Sequence, residues 1–273
     1  MEKSRLSPTE QPGHWDQLET MSPADLVTAM AQCDQQAQQA VEDIGPEIAR
    51  AIASSSEKVT NGGRIFYLGA GTSGRLGVLD ASEIPPTFGV HDAFIGLIAG
   101  GDSAIRQAVE GAEDNRSGGV EDLKTHGASS QDVLVGIAAS GRTPYVLGAM
   151  EWANQEGLLT IGITSNPTSQ VASLAQIALV PQTGPEFVTG STRMKAGTAQ
   201  KLILNQLSTG VMILCGHVEG NRMVDMQLAN QKLIERGSRM VSDALNISMD
   251  RAKQLLTECG SVRSAIDTFE GRD

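Results

Sequence analysis

The sequence predicts an α/β protein: a doubly wound, parallel, five-stranded sheet with helical N-terminal and C-terminal extensions. Three observations predict it. Five short apolar runs alternate with helical stretches, which implies a parallel sheet covered on both faces. Glycine turns follow the first and third runs directly. After Pro185 the pattern turns wholly helical.

The elements follow in order. Residues 1–20 are polar and mixed and read as an arm. Ser22-Pro23 has the form of an N-cap followed by proline, and helical character runs to about Thr60, where Gly62-Gly63 stops it. A strand over 64–68 enters Gly69-Ala70-Gly71-Thr72-Ser73-Gly74, followed by a helix from Arg75 to Glu83 that Pro85-Pro86 closes. A strand over 94–99 precedes a helix over 103–109. A third strand, 133–138, ends at Ala139-Ser140-Gly141-Arg142-Thr143-Pro144 and a helix to Asn154. A fourth spans 159–164, a short helix sits around Val171, and a fifth strand spans 177–180. Long helices follow over 191–215 and 226–245, then a pair over 249–259 and 262–269. The expected division is an arm and helices over 1–50, the sheet domain over 51–220 and a helical segment over 221–273.

Composition narrows the function. The 273 residues carry 21 Lys plus Arg against 32 Asp plus Glu, a net charge of −11, with 3 % aromatics. That balance disfavours nucleic acid and anionic membrane as partners. Cys33, Cys215 and Cys259 form no close pair, the four histidines form no HExxH, and an odd cysteine count suits a reducing compartment. No metal site is expected. No apolar run nears the ~20 residues of a membrane helix, and no leader opens the chain, so the expectation is a soluble cytoplasmic protein.

The glycine turn at 69–74 matches the dinucleotide fingerprint in letters. That fingerprint also needs an acidic residue about 20 positions on, at the end of the second strand. Asp102 stands too far on and Asp92 sits at the strand's wrong end. The P-loop lysine is absent, since Arg75 follows Gly74. What remains is a turn with two hydroxyls, Thr72 and Ser73, at a helix N-terminus, which is either an anion site or a capped turn. Ser140-Gly141-Arg142 echoes Ser73-Gly74-Arg75. Two such turns at the carboxyl ends of parallel strands favour a phosphorylated small molecule in one crevice.

Two further segments carry chemistry. Glu83 ends the helix launched from the first turn, and Glu113 sits in Val109-Glu110-Gly111-Ala112-Glu113-Asp114. Most glutamates are solvated surface groups. With no nucleophile–base set in view, these carboxylates are nonetheless the natural acid–base pair. The stretch from Gly184 to Lys201 packs Glu186, four hydroxyls, Arg193 and two lysines around a helix start. It reads equally as a capped amphipathic helix and as a buried polar site or subunit contact.

Together these motifs resemble the N-acetylmuramic acid 6-phosphate etherase family of the sugar isomerase domain superfamily. The stretches are 68–77, Asp80-Ala81-Ser82-Glu83, 109–114, 137–145 and 184–201. The last resembles a signature shared with the glucokinase regulatory protein. The arm keeps Thr9-Glu10 but shows Pro12-Gly13 where the family opens with Arg-Asn, and the chain ends a little short of the family's usual length. The resemblance implies cleavage of the D-lactyl ether of N-acetylmuramic acid 6-phosphate to N-acetylglucosamine 6-phosphate and D-lactate, by elimination and water addition. It implies Glu83 as proton donor and Glu113 as second active-site residue. Candidate substrate-binding residues are Thr72, Ser73, Gly74, Arg75, Ser140, Gly141, Arg142, Thr143, Glu186, Ser191 and Lys195. It also implies a homodimer with its site near the subunit interface and no metal or nucleotide cofactor. The alternatives are an aldose–ketose sugar-phosphate isomerase and a non-catalytic sugar-phosphate sensor.

Overall fold

The computed structural model describes residues 7–272; the first six residues of the expected arm and Asp273 lie outside them. Helices α1 (Pro23–Glu42) and α2 (Gly45–Thr60) come first. The helix expected to run unbroken to Thr60 is therefore two. Pro46 has no N–H to give and its ring crowds the carbonyl four residues back, which breaks the helix. Ser22 caps α1 by accepting from Asp25 N at 3.2 Å.

The core continues as β1 (Ile65–Gly69), α3 (Gly71–Ser82), α4 (Ile84–Phe88), β2 (Phe94–Ile98), α5 (Ser103–Arg106), α6 (Gly118–Thr125), β3 (Val133–Ile137), α7 (Pro144–Gln155), β4 (Leu159–Ile163), α8 (Gln170–Leu174) and β5 (Ile177–Leu179). All strand pairs are parallel, in the order β2-β1-β3-β4-β5. The expected sheet and its five strands are present. Helix α6 was not expected, because Gly118-Gly119 opens it. Gly119 is there for close packing, since a Cβ on it would meet Tyr145 O at 2.5 Å.

Strand side chains alternate between two cores. Ile65 and Tyr67 face α1, α2, α3 and α9 (Lys195–Leu214), while Phe66 and Leu68 face α6, α7 and α8. Each fully buried large aliphatic contributes about 1.5–3 kcal/mol, so covering both faces dominates the stability. The helices α10 (Gln231–Leu245), α11 (Met249–Cys259) and α12 (Val262–Glu270) enclose a smaller cluster around Val241, Leu256 and Val262. The C-terminal pair starts where the sequence predicts. Helix α10 starts late, at Gln231, because Asn230 accepts from Leu233 N at 3.0 Å and caps it there.

Candidate active site

Strands β1 and β3 are neighbours, with Gly69 opposite Ile137. The chain leaves β1 toward β2 on one side, while β3 and β4 build outward on the other. This is the switch point where open α/β sheets leave a crevice at their carboxyl ends. Both Ser-Gly-Arg turns open there.

In the first turn, α3 begins at Gly71, earlier than the expected Arg75. Its N-cap is Ala70, which has no side chain to cap it. The opening amides of α3 are thus free of side-chain partners, as an anion site requires. Thr72 is half-buried, and its hydroxyl has no partner among the described residues. Ser73 is buried and donates to Gln200 Oε1 at 3.0 Å. Gly74 is a packing residue: a Cβ there would meet Gly69 O and Ile98 Cγ1, each at 2.6 Å. Arg75 gives its Nε to Ile105 O at 2.9 Å, which ties down the short helix α5 after β2.

The second turn has the same logic. Thr143 is the N-cap of α7, yet its side chain makes no cap bond. Ser140 is half-buried, and its hydroxyl accepts a single long bond, from Arg142 N at 3.4 Å. Gly141 has φ +67°, and a Cβ on it would strike Ser169 Oγ at 2.2 Å. Arg142 points outward to Glu10 Oε1 at 3.0 Å, an exposed pair that pins the arm to the turn. Helices α1, α8, α10, α11 and α12 carry side-chain caps, whereas α2, α4, α5 and α6 start without one, as α3 and α7 do.

A crevice of about 200 Å³ lies beside the first turn, lined by Gly71, Arg75, Glu110 and Glu113 among others. Glu113 is exposed on a single 3-10 turn, Ala112–Asp114. Glu110 joins it, a second carboxylate that the reading of the sequence passed over although it stands in the same motif. Glu83 does not join it. It is exposed in the link between α3 and α4. Eleven residues separate it from Thr72 along α3, about 16 Å at 1.5 Å per residue. Within one chain the two glutamates therefore do not face the same turn.

Beneath Glu83, one turn earlier, Asp80 is buried. Burial raises its pKa, and the charge of Glu83 adds to that. The nearby hydroxyls of Ser208 and Tyr67 and the charge of Lys201 oppose it. Burial likewise pushes the Tyr67 phenol up.

The segment before α9 resolves into a cap. The helix starts at Lys195, not Ser191, because the Glu186 carboxylate accepts from Lys195 N at 2.8 Å and Ala196 N at 3.0 Å. Glu186 is 1 % exposed and Lys195 3 %. Burial raises the Glu186 pKa against those amides and lowers that of Lys195. Lys195 Nζ donates to Gln36 Oε1 on α1 at 2.8 Å. Ser191 is half-buried in the turn ahead of the helix. Among the described residues no group of three or more His, Cys, Asp or Glu is placed to hold a metal ion. No helix there is long and apolar enough to cross a membrane.

Comparison with known proteins completes the description. The glucokinase regulatory protein N-terminal SIS domain matches residues 47–154, and the SIS domain matches 123–210. The solved phosphoheptose isomerase of Francisella tularensis superposes with a TM-score of 0.55 at 19 % identity. It covers 71 % of this chain and 100 % of that one, a likeness of fold. Curated relatives run the length of the chain. N-acetylmuramic acid 6-phosphate etherase of Bacteroides fragilis is 52 % identical, over 96 % of this chain and 94 % of its own. That of Porphyromonas gingivalis is 51 % identical, over 96 % of each. That of Pasteurella multocida is 53 % identical, over 93 % of this chain and 84 % of its own. Sheet order, paired turns and this extent of identity agree, and the chain belongs to the N-acetylmuramic acid 6-phosphate etherase family.

Proposed function

We propose that this protein is an etherase that releases D-lactate from N-acetylmuramic acid 6-phosphate and leaves N-acetylglucosamine 6-phosphate. One observation carries the reading: relatives of that name align with 96 % of this chain at 52 % identity. The two turns support it. Uncapped N-termini of α3 and α7 at adjacent strand ends suit a phosphate monoester, with Thr72, Ser73, Ser140 and Thr143 beside it.

The chemistry needs such a handle. An unactivated ether resists cleavage because an alkoxide leaves badly. In the open-chain sugar, C1 is an aldehyde, so the C2 proton is acidic. Its removal gives an enolate, and the C3 oxygen substituent, now β to the carbonyl, departs. Water then adds at C3 of the 2,3-enal. A base at C2 and an acid at the lactyl oxygen each supply about 10²–10⁴-fold, and binding of the remote phosphate holds the reacting geometry.

In this reading Glu113, within the crevice beside α3, takes the C2 proton or orients the open chain. Glu83 protonates the departing lactate and then activates water. Because α3 holds Glu83 about 16 Å from the turn at its own N-terminus, the glutamate that serves a given turn comes from a second copy of the chain. A homodimer with the site at its interface follows. Leu79, 45 % exposed one turn before Glu83, offers the apolar surface such a contact needs. The same reading takes 51–220 as the sugar isomerase domain of a cytoplasmic enzyme. The test is incubation with N-acetylmuramic acid 6-phosphate and an assay of free D-lactate. Release that stops in Glu83→Ala, with sugar phosphate still bound, supports it; no release by the unaltered protein overturns it.

A further inference from the structure

Glu83 stands in the one-residue link between α3 and α4, and its side chain makes no cap bond to α4. The backbone on either side therefore fixes it. On one side α3 packs on the sheet. On the other, α4 is five residues long and carries Pro85-Pro86, which have no N–H to give. A helix that short does not hold itself. Ile84 and Phe88 bury its inner face in the core. A second hold comes from the segment 224–228 ahead of α10. Gln227 N donates to Pro86 O at 3.3 Å, and Gln227 Nε2 lies 2.8 Å from His91 Nε2, just past α4. Gly89 ends α4 at φ +71°, and a Cβ on it would meet Asp225 O at 2.3 Å.

The same segment is anchored in the C-terminal helices. Val224 and Met226 are buried with Val241, Leu256 and Val262. Between them, the Asp225 carboxylate accepts from Arg263 Nε at 2.7 Å and Nη2 at 2.9 Å, and pairs with His217 Nδ1 at 2.9 Å. Arg263 lies on α12 and also donates from Nη2 to Gly216 O at 2.6 Å, just past α9. One carboxylate thus joins α12, the end of α9 and the segment that lies on α4. A two-bond Arg–carboxylate pair of this kind fixes geometry better than a single bond.

We propose that the C-terminal helices act as a clamp on Glu83, with Asp225 as the positioning residue that holds α4 in place. Pro86 is three residues beyond Glu83, about 5 Å of helix, so a shift of α4 carries the glutamate with it. The clamp deepens the proposed function and rests on the role given there to Glu83. It grips the far end of α3 from the anion turn at 71–74. Loosening it should therefore slow the step that Glu83 performs and spare the binding of phosphate.

The experiment compares the unaltered full chain with Asp225→Ala and with Asp225→Asn, which keeps the shape and one acceptor. Hydrogen exchange read by mass spectrometry reports on the clamp without any substrate. In Asp225→Ala the amides of 82–90 should exchange about tenfold faster, while those of β1 and β3 hold. For release of D-lactate from N-acetylmuramic acid 6-phosphate, kcat should fall about tenfold with KM unchanged. Exchange of the C2 proton of N-acetylglucosamine 6-phosphate in D₂O, the step assigned to Glu113, should persist. Asp225→Asn should show the same signs at about threefold, and it carries the test alone where Asp225→Ala does not fold. Lactate release and C2 exchange that fall together would mean a merely structural role and overturn the clamp. Full turnover in both variants, or unchanged exchange over 82–90, overturns the clamp alone and leaves the etherase reading standing. No D-lactate from the unaltered protein overturns that reading, and the clamp with it.

Discussion

Ser73 donates its hydroxyl to Gln200 Oε1 at 3.0 Å, joining the turn after β1 to the helix α9 that the Glu186 cap launches. Both residues are buried, and Gln200 Nε2 has no partner among the described residues. Ser73→Ala removes the one hydrogen bond that the Gln200 side chain makes among the described residues. The variant should lose about 1–3 kcal/mol of stability and raise KM for the sugar phosphate more than it lowers kcat. Thermal melts and steady-state kinetics on one preparation check both.

Glu83 is exposed, so its replacement should leave the fold intact. Glu83→Gln should abolish turnover with a melting temperature close to that of the unaltered protein. Co-expression with Ser140→Asp, which puts a negative charge in the anion turn, tests where the glutamate acts. In a two-fold dimer the mixed pair rebuilds one intact site, so activity should return to about a quarter of normal. A mixture as inactive as either parent shows that Glu83 serves its own chain.

Gly71 and Gly74, three positions apart, should respond differently. Gly71 has φ +53° with nothing near its would-be Cβ, so Gly71→Ala carries only the left-handed strain of about 1 kcal/mol. At Gly74 a Cβ drives into Gly69 O at 2.6 Å, and Gly74→Ala should cost about 3 kcal/mol. Urea melts of the two variants rank them; the reverse order would refute close packing of α3 on the sheet.

At the opposite end of the sheet Asp132 accepts from Arg64 N at 2.8 Å and Ser129 N at 2.9 Å, and pairs with Arg64 Nη2 at 3.1 Å. Burial works to raise its pKa, but these bonds and the Arg64 charge outweigh it and hold it below the ordinary value. The unfolded chain then binds a proton more readily than the folded one. The pair's contribution is complete above the unfolded pKa of ~3.9 and is lost as pH falls through the folded value. Asp132→Asn should cost about 3 kcal/mol at neutral pH and flatten the loss of stability in acid. Denaturant melts across that range measure it.

What the sequence discloses and what it hides follow from distance along the chain. Gly69, Gly71 and Ser140-Gly141-Arg142 announce strand-to-helix turns because their demands are local, and the sheet follows from alternation. Ser73–Gln200 and Lys195–Gln36 join residues 127 and 159 positions apart. Nothing local marks Gln200 or Gln36 as a partner. Pro46 was a legible break inside the first helical stretch, overshadowed by the spacing of Val41, Ile44 and Ile48. The separation of Glu83 from Thr72 was legible too, because helical rise alone carries eleven residues some three turns away.

The most direct test of the account is turnover of N-acetylmuramic acid 6-phosphate in ¹⁸O-water, with mass spectrometry of both products. Elimination followed by hydration places the heavy oxygen on C3 of N-acetylglucosamine 6-phosphate and leaves D-lactate unlabelled. Label found in D-lactate and not in the sugar would contradict it.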